Sequence, residues 1–203
     1  MSRSLWMRRA GAALIATVSV GALSAAPARA AAHETGEANL FDGAGFVFWA
    51  AKNQVNRVTI TQSGSVITVD DRVAVKPGEG CVQVAGDRTR VRCTFTVDLS
   101  QASMLVALEN RNDYVINKTA IYLNVNGHAG NDTIIGGPAV EELNGGTGRD
   151  TIKGGAGADW LRGGDGNDTI VGGKGRDRIE GGRGRDRCDV SSSDTVKTCE
   201  ILR

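Results

Sequence analysis

Histidine is nearly absent from this chain: His33 and His128 are the two examples in 203 residues. Neither has a neighbouring Ser or Cys in a nucleophile motif, and the sequence contains no GxSxG and no HExxH. The common hydrolase and metalloprotease chemistries therefore have nothing to run on. His33 falls in a stretch expected to fray, and His128 reads as a substitution in a turn. Glu141 and Glu142 do not make an acid/base pair, because adjacent residues of a strand face opposite ways. The four cysteines include no CxxC and have no histidine beside them, so zinc ligation is not expected. No helical period of useful length occurs after residue 30, which points to an all-β chain. No catalytic residue is assigned, and an enzyme is not expected.

Long apolar runs are lacking as well. The single candidate, Ala10 to Ala26, is 17 residues long and rich in alanine, too short and too weakly apolar for a membrane span. Arg3, Arg8 and Arg9 precede it and Ala28-Arg29-Ala30 follow it, so residues 1–30 read as a secretory signal peptide with an A-x-A cleavage site. Arg8-Arg9 match a twin-arginine signal poorly, and ordinary secretion is expected. Removing the leader takes four of the 24 basic residues and no acid, leaving 20 against 23 acidic residues. A mildly acidic mature chain gives no charge basis for nucleic-acid binding. The expected location is extracellular, with cell-wall association as a second possibility.

Glycine, in contrast, is abundant, and from Gly127 to Asp189 it recurs in a nine-residue pattern, Gly-Gly-x-Gly-x-Asp-x-apolar-x. The units are GHAGNDTII, GGPAVEELN, GGTGRDTIK, GGAGADWLR, GGDGNDTIV, GGKGRDRIE and GGRGRDRCD; the last five depart once, where Cys188 takes the apolar place. Glycines at places one, two and four suit a tight loop. The residues that follow suit a short strand with the apolar place eight turned inward. Two units make one coil, so loops on one edge lie eighteen residues apart and stack at strand spacing, about 4.8 Å. Asp132, Asp150, Asp168 and Asp186 then share one edge, and Glu141, Asp159 and Asp177 the other.

Such stacking sets like charges side by side. A hard divalent ion turns that repulsion into a bridge, and calcium suits it best, taking six to eight oxygens in flexible geometry, including the carbonyls that glycine loops expose. Magnesium demands a stricter octahedron and holds its waters. The alternative is a metal-free roll in which the aspartates only form turns, though turn chemistry alone does not require Asp at every sixth place.

The nonapeptide resembles that of the RTX-type calcium-binding β-roll proteins. The resemblance implies a right-handed parallel β-roll binding several calcium ions through the place-six acids and the glycine turns. Matched residue by residue, the ligands are Asp132, Asp150, Asp159, Asp168, Asp177 and Asp186, with Gly145, Gly148, Gly154, Gly157, Gly163, Gly166, Gly172, Gly175, Gly181 and Gly184. Glu141 departs from the pattern, and its unit carries Pro138 and Ala139 where the motif has a variable residue and glycine; a weak or empty site is expected there.

The cysteines form two locally spaced pairs, Cys81 with Cys93 and Cys188 with Cys199. Three connectivities exist; proximity favours the local ones, and disulfides accord with export. Cys81 and Cys93 flank two short strands around Gly86-Asp87. Further strands are expected at Phe46–Ala51, Asn56–Thr61, Ser65–Asp71, Arg90–Leu99 and Met104–Leu108, each short, β-branched and bounded by turn residues. Asn112-Asp113-Tyr114-Val115 echoes Asn131-Asp132-Thr133-Ile134 at a distance of nineteen, as a degenerate coil with one insertion would.

The expected organisation is residues 1–30 leader, 31–40 flexible, 41–126 irregular leading part of one solenoid, 127–189 roll, and 190–203 capping tail, with a separate small β-sandwich at 41–126 as the alternative. Three functions are compatible with the chain: a secreted calcium-binding protein, an adhesive module for an anionic wall polymer or glycan, and a small enzyme. The second rests on Lys174, Arg176, Arg178, Arg183, Arg185 and Arg187; their other reading is solvated side chains that offset the acidic rows.

Overall fold

A computed structural model describes residues 35–202, so the expected leader and His33 lie outside the described residues. The leading part contains β1 (Gly36–Phe41), β2 (Gly45–Trp49), β3 (Arg57–Ser63), β4 (Val66–Asp70), β5 (Val75–Pro77), β6 (Cys81–Val84), β7 (Asp87–Thr94), β8 (Ser103–Ala107), β9 (Tyr114–Lys118) and β10 (Tyr122–Asn126). The repeats and tail contribute β11 (Thr133–Ile135), β12 (Glu141–Thr147), β13 (Thr151–Ala156), β14 (Trp160–Asp165), β15 (Thr169–Lys174), β16 (Arg178–Arg183), β17 (Arg187–Asp189), β18 (Thr195–Lys197) and β19 (Ile201–Leu202). Among the described residues the only helical element is a 3-10 turn at Leu99–Gln101.

Alternate strands fall into two sheets. One runs β18-β16-β14-β12-β10-β8-β2-β1-β5, the other β19-β17-β15-β13-β11-β9-β3-β4-β7-β6. From β2 and β3 onward the stacking between coils is parallel, as a solenoid requires. The step is eighteen residues through the repeats: Thr133 pairs with Thr151 and Thr151 with Thr169. Glu142 likewise pairs with Trp160, and Trp160 with Arg178. Place eight faces inward throughout, and Ile134, Leu143, Ile152, Leu161, Ile170, Ile179 and Cys188 are all buried. The repeats therefore share a thin core of one inward side chain per unit, aliphatic in all but the last.

The leading part is built differently. Phe46, Phe48, Ile60, Ile67, Met104 and Leu108 are fully buried, and the antiparallel strands β1, β4, β6 and β7 cover this end of the sheets. Residues 36–40, expected to be flexible, form most of β1. Ala38 and Leu40 are buried against this cluster. Too few of its residues are strong strand formers to announce a strand in sequence. Cys81 and Cys93 sit opposite each other on β6 and β7 and are bonded.

The nineteen-residue echo is a coil in fact. Tyr114 pairs with Thr133 and Val115 with Ile134, whereas Val125 meets Leu143 eighteen residues on, so the extra residue lies between β9 and β10. Where the motif has glycines at places two and four, this coil has Glu109 and Arg111, held at φ of 73° and 87°. Such left-handed backbone costs a non-glycine residue on the order of 1–2 kcal/mol, and the neighbouring coils impose it.

At the other end the tail forms a last, tightened coil. The step falls to seventeen residues at Arg178↔Thr195 and to fourteen at Arg187↔Ile201. Cys188 is bonded to Cys199 and holds this coil in place.

Candidate metal centre

Each corner between a turn and its following strand buries one place-six acid. Asp132, Glu141, Asp150, Asp159, Asp168, Asp177 and Asp186 are at most 1% exposed, and among the described residues none of them forms an ion pair. One oxygen of each aspartate is accounted for by the backbone. Asp132 N–H donates to Asp150 Oδ1 at 2.8 Å, Asp150 N–H to Asp168 Oδ1 at 2.8 Å and Asp168 N–H to Asp186 Oδ1 at 2.9 Å. On the other edge Glu141 N–H donates to Asp159 Oδ1 at 2.9 Å and Asp159 N–H to Asp177 Oδ1 at 3.0 Å. Both rows are thus ladders with a direction: every acid accepts from the coil before it.

The ladders outrun the repeats. Asn56 N–H donates to Asp113 Oδ1 (2.6 Å) and Asp113 N–H to Asp132 Oδ1 (2.8 Å). In the tail, Asp194 Oδ1 accepts from Asp177 N–H (3.0 Å) and Glu200 Oε2 from Asp186 N–H (2.5 Å). Glu141 heads its row, with Asn117 Nδ2 donating to its Oε1 at 3.4 Å. Spacing alone did not find Asn56 and Glu200, because insertions and the shortened tail put them out of step.

The second oxygen of every place-six acid is buried with no hydrogen-bond partner, and the same holds for Asp71 and Asp113. Burial is the largest cause of the upward pKa shifts that follow. It pushes Asp132 up to about 7 and Asp168 to about 6, each raised further by neighbouring carboxylates. Asp150, Asp159, Asp177, Asp186 and Glu141 shift in the same direction for the same first reason. A row of buried acids with a free oxygen each is a poor resting state.

The place-one glycines explain what these oxygens face. A Cβ at Gly145 would meet Asp150 Oδ2 and the carbonyl of Gly163; at Gly163 it would meet Asp168 Oδ2 and the carbonyl of Gly181. Gly154 repeats the arrangement with Asp159 Oδ2 and Gly172 O, and Gly136 repeats it with Glu141 Oε2 and Gly154 O. The missing side chain leaves a cradle of carboxylate and carbonyl oxygen between coils. Glu141 shares that arrangement despite its altered turn. The place-four glycines Gly148, Gly157, Gly166, Gly175 and Gly184 have φ between 133° and 151°, and each Cα packs on the place-four carbonyl of the coil before.

A hard, oxygen-seeking cation fits this donor set, and calcium accepts such mixed carboxylate and carbonyl ligation. Among the described residues no three His, Cys, Asp or Glu side chains converge, which is not the ligand set of zinc. Turn formation accounts for one carboxylate oxygen of each aspartate and leaves the other free. Gly163→Ala is expected to lower the calcium-induced rise in melting temperature sharply, since its methyl would enter the cradle at ordinary φ. Gly64→Ala is the control: φ there is +57° and a Cβ meets nothing within 4 Å, so it strains the backbone without touching calcium binding.

The family model for the RTX calcium-binding nonapeptide repeat matches residues 124–152, 135–170 and 162–192. Residues 124–192 are RTX repeats. Calcium is the ion such repeats bind. No curated protein and no solved structure is significantly similar to the chain. The RTX coils divide the six basic residues: Lys174, Arg176 and Arg178 flank the turn between β15 and β16, whereas Arg183, Arg185 and Arg187 flank the turn between β16 and β17 on the opposite edge. Arg178 lies over the Trp160 ring at 5.2 Å, and Arg183 is 3.8 Å from Asp165. Among the described residues no helix is long and apolar enough to cross a membrane.

Proposed function

We propose that this is a secreted calcium-binding protein whose ions bridge stacked turns and complete the roll at 127–189. The observation that carries this reading is the set of buried carboxylate oxygens without partners, seven of the nine in the repeats. Asp132, Asp150, Asp159, Asp168, Asp177 and Asp186 would hold the ions with the glycine-turn carbonyls, and the bound ion supplies the positive charge these corners lack. Two disulfides support an oxidising compartment, and calcium is plentiful outside cells, where sites of the weak, extracellular range are filled.

Circular dichroism and calorimetry test the reading. The chain is expected to gain β-structure with calcium, and much less with magnesium at equal concentration. Asp168, mid-row between Asp150 and Asp186, is the residue to change. Asp168→Ala is expected to reduce both calcium affinity and the calcium-induced rise in melting temperature, because binding here is coupled to folding. Wild-type affinity and stoichiometry in that variant would show that the place-six acids only shape turns. An adhesive role toward an anionic polymer has three basic residues on each edge to work with rather than six on one, so a polymer gripping all six must wrap the roll.

A further inference from the structure

In a regular coil, the place-one glycine faces its own acid and the place-one carbonyl of the next coil. At Gly154 both oxygens, Asp159 Oδ2 and Gly172 O, stand 2.5 Å from the point a Cβ would occupy. At Gly172 no further nonapeptide follows on that edge. The oxygens there are Asp177 Oδ2 at 2.6 Å and Asp194 Oδ2 at 3.2 Å. A carboxylate from the tail has taken the place of a carbonyl.

Asp177 is 1% exposed and its Oδ2 has no partner. Asp194 is held in position by the tail itself: Oδ1 accepts from Asp177 N–H at 3.0 Å and from Ser191 Oγ at 2.9 Å, and Oδ2 accepts from Ser191 N–H at 2.7 Å. Ser193 Oγ donates to Gly175 O at 2.7 Å and ties this loop to the coil beneath. Asp194 lies beyond the matched repeats, which end at residue 192, and the motif gives no place to it. At Gly181 on the opposite edge, the oxygens nearest the point a Cβ would occupy are Thr198 O and Asp186 Oδ2.

We propose that Asp194 is a calcium ligand supplied by the tail, forming with Asp177 a terminal site of two carboxylates that closes the row on its edge. The proposal rests on calcium occupying the place-six rows. Both oxygens border the space left by the absent Gly172 side chain, and affinity in oxygen sites rises with the number of charged ligands. Asp194 therefore adds a charged ligand that the nonapeptide itself does not supply.

The test uses the full chain with both disulfides formed, and calcium alone as probe, read by native mass spectrometry and calorimetry. Asp194→Asn, which keeps an acceptor for Asp177 N–H, is expected to lose one ion or weaken one by roughly tenfold or more. Asp177→Asn should lose the same ion, and the double variant that one ion only; loss of two would overturn the shared site. Ser191→Ala removes the hydroxyl anchor but no carboxylate, and Glu200→Gln alters the opposite edge; both should keep the wild-type ion count. Wild-type count and affinity in Asp194→Asn, or an equal loss in Ser191→Ala, would make Asp194 a hydrogen-bonding cap and overturn the proposal. A wild-type chain that binds no calcium overturns the whole row, and this site with it.

Discussion

Chelating calcium is expected to unfold residues 127–189 while residues 36–126 stay protected from hydrogen exchange. The two parts have different sources of stability. In the leading part Phe46, Phe48, Met104, Ile60 and Ile67 pack in one buried cluster, at about 1.5–3 kcal/mol for each large side chain removed from water, and Cys81–Cys93 closes the β6–β7 hairpin. In the repeats each unit contributes one inward side chain, aliphatic in all but the last, and one buried carboxylate with a free oxygen. An uncompensated buried charge costs several kcal/mol, enough to cancel the burial of its partner Ile or Leu. Hydrogen exchange with and without calcium reads this directly, and unfolding in chelator should depart from two-state behaviour. Equal protection of Ile152 and Ile170 amides in both conditions would show that the repeats fold without ions.

Acid is expected to substitute for calcium in part. An unfolded aspartate titrates near 4, whereas burial first, then neighbouring carboxylates, lift Asp168 to about 6 and Asp132 to about 7. A raised folded-state pKa stabilises the folded form below the unfolded value, and that contribution disappears as pH rises through the folded value. In chelator, the melting temperature should therefore fall between about pH 5 and pH 8. Hydrogen bonds hold Asp87 and Asp98 below the usual carboxylate range, so stability should decline again in stronger acid. With saturating calcium the slope reverses, because ligation needs the ionised carboxylate. Calorimetry in buffers of different ionisation heat should register proton release as calcium binds near neutral pH. A melting temperature in chelator that rises from pH 5 to pH 8 would contradict the buried, part-protonated state of these acids.

The repeats were legible because two places of the nonapeptide carry separate information. Place eight fixed the inward column, Ile134 to Cys188, and place six fixed the edge on which each acid lies. What the spacing does not carry is contact between coils. That Asp150 spends one oxygen on the Asp132 amide depends on three-dimensional register, and so does the free state of the other. Register also hides the extensions: one extra residue between β9 and β10 displaces Asp113, and the contracted tail displaces Asp194 and Glu200. Glu109 and Arg111 show the same limit in the backbone. Their left-handed φ is imposed by the coil stacked beside them, and nothing in LENRND announces a glycine-type turn. The fragment GEANLF does not read as a strand because two of its alternating inward positions, Gly36 and Ala38, carry little or no side chain, although Ala38 and Leu40 are buried.

The direction of the ladders gives the roll a quantum of length. Every coil leaves two place-six N–H groups, one on each edge, to be met by acids of the coil that follows, and the last pair is met by Asp194 and Glu200. Excising or duplicating eighteen residues, such as 154–171, rejoins like to like and presents the tail with the same two amides. Excising nine keeps the tail on its own last coil but exchanges the rows: Asp194 would close the row that Asn56 and Asp113 head, and Glu200 the row that Asn117 and Glu141 head. Only a change by whole turns, that is by pairs of nonapeptides, keeps each row between the same two ends.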